Sequence, residues 1–184
     1  MAKQDTFPVL ETERLVLRAL RLSDAPDVQR LVGAREVAAT TLTIPHPYTT
    51  SMAEEWIGSH DERRERGEAL HWAITRKQDG ALLGVIGLEL TDKHRRGELG
   101  YWVGVPYWRQ GYCTEAARAV VRYAFETLEL ARLVAVHFAG NEASGRVMRK
   151  LGMTQEGVLR KHVLKWGQRI DLVCYGLLRE EWQG

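Results

Sequence analysis

A chain of 184 residues is the length of one domain and long enough to bury a core without cross-links. Charged residues make up 27% and hydrophobic ones 45%, and the two cysteines, Cys113 and Cys174, lack metal-ligand spacing, which argues against a disordered chain, a zinc module or a disulfide scaffold. A net charge of +2 is too mild for a nucleic-acid protein, and no apolar run approaches the about 18 residues of a membrane span.

In chain order, the opening residues carry no apolar signal core, so a cytoplasmic setting is expected. Residues 14–20 alternate polar with apolar, as a half-buried strand does, and Ser23-Asp24 then caps a helix running to about Arg35. Residues 40–48, with Pro45 and Pro47, read as a loop; Ser51 opens a charged helix that ends near Gly67. Strands follow at 70–75, 82–90 and 97–103, joined by the polar turns Gln78-Asp79-Gly80 and Asp92-Lys93-His94, which predicts an antiparallel meander. The basic clusters around Arg63-Arg64 and Arg95-Arg96 are read as solvated faces. From Thr114 the period lengthens, and Ala116, Ala117, Val120, Val121, Ala124, Phe125 and Leu128 fall on one face of a helix. Residues 132–138 form a strand, 141–151 a second helix closed by Gly152, and 154–164 with 168–178 a final strand pair. The order predicts one mixed α/β domain with neither repeat nor linker.

Residues 101–116 carry the strongest chemical signal: a strand, a loop containing Arg109 and Gly111, then an abrupt helix. Main-chain N–H groups at a helix start have no internal partners, and the helix dipole adds positive character, so such a junction can hold a pyrophosphate. Gly111 lets that backbone approach closely. An ordinary strand-to-helix turn is the competing reading. A Walker-type loop is excluded, because no Gly-Lys-Ser or Gly-Lys-Thr follows the required spacing.

The stretch from Trp108 to Cys113 resembles motif A of the GNAT superfamily of N-acetyltransferases. Trp108 stands where the usual pattern has Gln or Arg, as in the Rim-type, ribosomal-protein acetyltransferase branch, and Cys113 where it has Gly or Ala. Three further blocks are similar to that branch: residues 12–18, Asn141-Glu142-Ala143-Ser144 with Lys150-Leu151-Gly152-Met153, and the tail from Asp171 through Tyr175 to Trp182. The resemblance implies a single domain, its core about residues 12–182, with a central mixed, mostly antiparallel sheet flanked by helices and splayed in its middle. Strands 97–103 and 132–138 would part to admit acetyl-coenzyme A. Val103 and Val105 would meet the pantetheine arm, with Asn141 beside it. The backbone of Arg109, Gln110, Gly111, Tyr112, Cys113 and Thr114 would bind pyrophosphate. Lys150 would reach an adenosine phosphate, or else serve the dipole at its helix end.

Acetyl transfer needs a neutral amine, a polarised carbonyl and a proton for the departing thiolate. The resemblance implies Glu98 as the base and Ser144 as the group at the sulfur; a water-facing strand-end glutamate and a first-turn serine are the bland alternatives, with Tyr101 and Tyr112 as weaker acids. His46, Tyr48, Trp56, His71 and Trp72 lie where an acceptor pocket is expected, with Trp56, His71 and Trp72 as substrate-binding candidates. The branch favours a protein N-terminal α-amine. A small amine such as a polyamine or antibiotic, or a non-catalytic acyl-coenzyme A-binding protein, remain the alternatives. No metal, membrane or specific nucleic-acid partner is expected, and a homodimer through strand edges or the tail is one expected assembly.

Overall fold

The alternating segments assemble into an eight-stranded sheet in the computed structural model, which describes residues 7–184. The strands are β1 (Leu10–Glu11), β2 (Leu15–Ala19), β3 (Ala69–Arg76), β4 (Leu82–Thr91), β5 (Arg96–Val103), β6 (Arg132–Phe138), β7 (Thr154–Lys165) and β8 (Gln168–Leu178), in the order β1-β2-β3-β4-β5-β6-β8-β7. Every neighbouring pair is antiparallel except β5 and β6, which run parallel. The helices are α1 (Ala25–Val32), α2 (Arg35–Ala38), α3 (Thr50–Gly58), α4 (His60–Glu65), α5 (Tyr112–Glu126) and α6 (Glu142–Lys150). This is the expected mixed α/β domain with a mostly antiparallel sheet flanked by helices.

Because strand residues alternate between faces, the sheet carries two separate cores. On one side Leu88, Leu99 and Val103 meet Ala116, Ala117, Val120 and Val121 of α5 and Met148 of α6. On the other, Ala73 and Leu82 meet Val28 and Leu31 of α1, Val37 of α2 and Ile57 of α3, with Trp102 packed against them. The alanines at 116, 117 and 124 let α5 lie close to the sheet, and burying Val120, Val121 and Phe125 contributes about 1.5–3 kcal/mol each.

Three helical expectations shift for identifiable reasons. The stretch expected to run from Ser23 to Arg35 breaks into a 3-10 turn (Leu22–Asp24), α1 and α2. Gly33 ends α1, and a Cβ there would lie 2.5 Å from the Gln29 carbonyl oxygen. The helix after Ser51 divides at Ser59, whose hydroxyl donates back to the Trp56 carbonyl at 2.7 Å, a local bond that competes with helix continuation. Helix α5 starts at Tyr112, before Thr114, because Gly111 takes the left-handed conformation (φ 84°) as its N-cap.

The position of the site is set by where β5 and β6 stop pairing. They are joined only at Arg96 with Arg132, Gly97 with Leu133 and Glu98 with Val134. Beyond that, β5 stays on β4 as far as Gly84 with Val103, while β6 stays on β8 as far as Phe138 with Leu172. Each strand follows its outer neighbour, and the sheet forks.

Candidate active site

The fork opens a cleft of about 570 Å³. Consecutive residues of one strand, Leu99 through Val103, all line it, together with Val37 and Thr40 from one side of the sheet and Ser144 and Met148 from the other. Since neighbouring strand residues point to opposite faces, the cleft passes through the sheet.

At one end stands the loop before α5. Arg109 (φ 62°) and Gly111 (φ 84°) are both left-handed, which curls the main chain, and no side chain caps the first turn of α5. That combination leaves N–H groups available to an anion. Arg109, Arg146 and Lys150 add positive charge along the lining. The loop is braced from far away in sequence. Arg14 donates to the Gln110 carbonyl at 3.1 Å and, through Nε, to Glu115 at 2.7 Å, while the Thr12 hydroxyl donates to Glu115 at 2.6 Å. The guanidinium also sits 4.5 Å from the centre of the Tyr112 ring. Burial alone would raise the Glu115 carboxyl, but the bonds from Thr12 and Arg14 outweigh it and hold the group below the usual carboxylate range. Its negative charge is thus taken up by Arg14 and does not oppose a phosphate. The block at residues 12–18 was recognisable in the sequence; its bracing role, and the place of Arg146 in the cleft, were not.

Of the residues expected to hold the coenzyme, Val103, Arg109, Gly111, Tyr112, Cys113, Thr114, Asn141 and Lys150 line the cleft. Val105 and Gln110 do not. The Val105 side chain packs against the second core, and the Gln110 amide donates to the Pro106 carbonyl at 2.9 Å, stiffening the loop from within. The Val103 carbonyl accepts the Trp108 indole N–H at 2.6 Å, which occupies one of its two acceptor positions. Burial pushes the Cys113 thiol up to about 12, which favours its protonated form.

Ser144 stands in the first turn of α6. Asn141 caps that helix by accepting the Ser144 N–H at 3.3 Å, which leaves the serine hydroxyl for another partner. That partner is Tyr101, whose hydroxyl oxygen is 2.9 Å from Ser144 Oγ and 3.2 Å from the Ser144 carbonyl oxygen. Burial, with Cys113 close by, outweighs the serine hydrogen bond and holds the Tyr101 phenol well above its ordinary range.

The opposite face carries the carboxylates. Glu98 pairs in register with Glu89, and the two project from the same side of the sheet. Arg63 clamps Glu89 at 2.5 and 3.3 Å and His71 approaches it at 3.3 Å; contact with His71, then Arg63, carries its carboxyl down to about 2 against the effect of burial. Further along, Glu156 is bound by Arg132. Among the described residues Glu98, exposed and between these two pairs, has no ion-pair partner.

The acceptor-pocket candidates divide between the faces. Trp72 is fully buried on the α5 side: its indole donates to the Pro8 carbonyl at 2.7 Å and its ring meets Phe7 and Tyr123 at 5.7 and 5.8 Å. It is a core residue, and the expectation that it lines an acceptor pocket is corrected. Trp56 and His71 lie on the Glu98 face, joined by His60, which the sequence did not single out. His46 lies 6.2 Å from Trp166, and Tyr48 packs on the second core. Among the described residues no His, Cys, Asp and Glu group is arranged to hold a metal ion, and no helix is long and apolar enough to cross a membrane.

Residues 14–154 match a family model described as an acetyltransferase (GNAT) domain. Over 183 residues the chain is 34% identical to the uncharacterized N-acetyltransferase YoaA of Bacillus subtilis, covering 94% of this chain and 98% of that protein. It is 40% identical over 181 residues to YdaF of the same organism, which bears the name of a ribosomal N-acetyltransferase, covering 97% and 98%. Among solved structures, RimL, a ribosomal L7/L12 α-N-protein acetyltransferase in complex with coenzyme A, shares the fold with a TM-score of 0.85 at 20% identity, over 93% of this chain and 98% of that one.

Proposed function

The chain belongs to the GNAT family and is an N-acetyltransferase, and from that premise we propose that it moves the acetyl group of acetyl-coenzyme A onto the α-amine of a protein N-terminus. The observation that carries the proposal is the passage through the sheet, lined by the anion loop and Ser144 and by Gly100 and Trp102 of the face from which the uncommitted Glu98 projects, one residue outside the lining.

The residues present fit the coenzyme: uncapped N–H groups at α5, curled backbone at Arg109 and Gly111, and strand edges of β5 and β6 without each other as partners. The main chain of Arg109 and of residues 111–114 would hold pyrophosphate, Arg109 and Lys150 would add charge-assisted contacts, and the unpaired edges would meet the pantetheine amides. When bound, acetyl-coenzyme A supplies an acetyl group activated as a thioester. On the other face Glu98 removes a proton from the incoming ammonium, directly or through water. An exposed carboxylate suits an α-amine, with a pKa of about 8, better than a lysine of about 10.4, because far more of the former is already near deprotonation at neutral pH. Tyr101 can donate its hydrogen bond to Ser144 Oγ, which leaves the serine O–H free to face the departing sulfur. Trp56 and His71 border the acceptor side. YdaF, named for ribosomal N-acetylation, and RimL, named for the ribosomal L7/L12 protein, support a protein acceptor.

Calorimetric titration with acetyl-coenzyme A, followed by thiol-release assays on N-terminal peptides, polyamines and aminoglycosides, tests this reading. Turnover is expected with peptides. Preference for a polyamine or aminoglycoside would replace the acceptor class, binding without turnover would make the chain an acyl-coenzyme A-binding protein, and no binding would overturn the coenzyme site.

A further inference from the structure

The Glu98 face holds a second group of side chains to which the mechanism above gives no chemical step: His71 with Glu89, Arg63, His60 and Trp56. His71, Gly87 and Gly100 stand in register on β3, β4 and β5. A Cβ at Gly87 would lie 2.6 Å from His71 Cδ2 and 2.9 Å from Nε2, so the glycine is what allows the imidazole to lean across β4. Strands are spaced by about 4.8 Å. The ring therefore stands one strand from Gly100, which lines the cleft and has nothing within 4 Å of where a Cβ would be.

The ring's orientation is fixed on three sides. Nε2 is 3.3 Å from Glu89, whose carboxylate Arg63 holds from the other side. A carboxylate is an acceptor only, so Nε2 is the ring nitrogen committed to Glu89 and Nδ1 is the one left for another partner. Cδ2 and Nε2 form the edge turned down on Gly87, which places Nδ1 on the edge turned away from the sheet. His60 stacks on the ring at 4.4 Å and 11°, with Trp56 edge-on to His60 at 4.5 Å. Both His60 nitrogens are buried without a hydrogen-bond partner, and burial, then His71 and Arg63, depress its pKa to about 3. His60 is therefore a neutral stacking surface and adds no charge beside an incoming ammonium.

We infer that His71 touches the acceptor: its Nδ1 accepts a hydrogen bond from one N–H of the amine above Gly100 while Glu98 takes the proton, so that the nitrogen lone pair is aimed into the fork. Glu89 is a positioning residue that sets the tautomer. The inference rests on the reading that the amine enters from the Glu98 face.

Two variants test it. His71→Phe keeps a ring to stack on His60 but has no lone pair; Glu89→Gln keeps the shape, but its amide can donate to Nε2 and move the proton to Nδ1. With a peptide bearing an N-terminal alanine, and separately with ethylamine, both should lower kcat/KM for the amine about 10- to 100-fold while leaving acetyl-coenzyme A affinity unchanged. Retention of kcat/KM within about two-fold in both would overturn the inference. Should either variant fold poorly, ¹⁵N imidazole spectra of the wild-type protein decide: His71 should be protonated at Nε2, and its Nδ1 resonance should move when amine is added with coenzyme A. A proton on Nδ1, or no movement with either amine, would overturn it. Movement with ethylamine but no turnover of the peptide would retire the N-terminal acceptor and leave the His71 contact standing.

Discussion

Tyr101→Phe removes one oxygen and nothing else, and among the described residues that oxygen bonds only to the hydroxyl and carbonyl of Ser144. It lies 2.9 Å from Ser144 Oγ in a partly buried setting, and burial keeps the phenol protonated at ordinary assay pH. A neutral hydrogen bond of this kind is worth about 0.5–1.5 kcal/mol net, which corresponds to about two- to thirteen-fold in turnover if the bond is felt at the step where sulfur departs. Ser144→Ala removes the group proposed to face the sulfur and should cost more, about 100-fold in kcat. If Tyr101 acts only through Ser144, the double variant should be no slower than Ser144→Ala, and the coupling energy should equal the whole Tyr101→Phe effect. The assay is kcat at saturating acetyl-coenzyme A for the four proteins, with calorimetric affinities as a control; affinities should be nearly equal, since neither hydroxyl belongs to the anion loop. Independent, multiplicative effects would refute the pairing, and a large loss of affinity in Ser144→Ala would return that residue to a role in the helix cap.

Glu98→Gln should lower turnover at neutral pH and recover as pH rises and the amine loses its proton unaided; a pH–rate profile unchanged from wild type would remove Glu98 as base. Gly111→Val forces a β-branched residue to φ 84° with its Cβ 3.4 Å from an Arg14 nitrogen, costing about 1–2 kcal/mol and raising the acetyl-coenzyme A Kd at least about ten-fold, whereas normal binding would displace the phosphate site. Gly100→Val should narrow the passage without strain, since nothing lies within 4 Å of the added Cβ: melting temperature should hold or rise, coenzyme affinity should persist and amine turnover should fall, and undiminished turnover would place the acceptor elsewhere. Asp24 is pulled upward by burial but further downward by Arg18 and the Arg21 N–H, so its folded-state pKa lies below the unfolded value. Its stabilisation is therefore present above about pH 4 and lost as pH falls through the lower, folded value, and Asp24→Asn should cost about 3 kcal/mol at neutral pH, about 6–12 °C in melting temperature, and flatten the acid limb of the stability curve.

What the sequence discloses is what local periodicity can encode. Helix α5 is legible because its buried side chains recur one turn apart, and the meander because each turn between β3, β4 and β5 is short and polar. Trp72 shows the cost of reading residue type before face. Leu70, Trp72 and Ile74 share one parity of β3, and His71 and Ala73 the other, and because β3 is paired on both sides an adjacent histidine and tryptophan face opposite sides of the sheet. That distinction was available in the alternation itself. The Arg14 brace was not, because its partners Gln110 and Glu115 lie 96 and 101 residues away and nothing local to Arg14 names them.

The fork between strands 97–103 and 132–138 is what the family resemblance implies, although no local pattern shows it. No side chain in β5 announces that pairing with β6 ends at Glu98; it ends because β4 and β8 hold the two strands on diverging courses. Yet this is the feature on which the chemistry depends. Ser144 and Tyr101 belong to the α5–α6 face, Glu98 and His71 to the other, and an intact sheet would separate the proposed base from the proposed leaving-group side by a layer of backbone. Motifs therefore indicate which residues the reaction could use, while strand pairing decides whether they can act on the same pair of molecules. A substitution that restored β5–β6 pairing past Glu98 would preserve every motif in the chain and still abolish transfer.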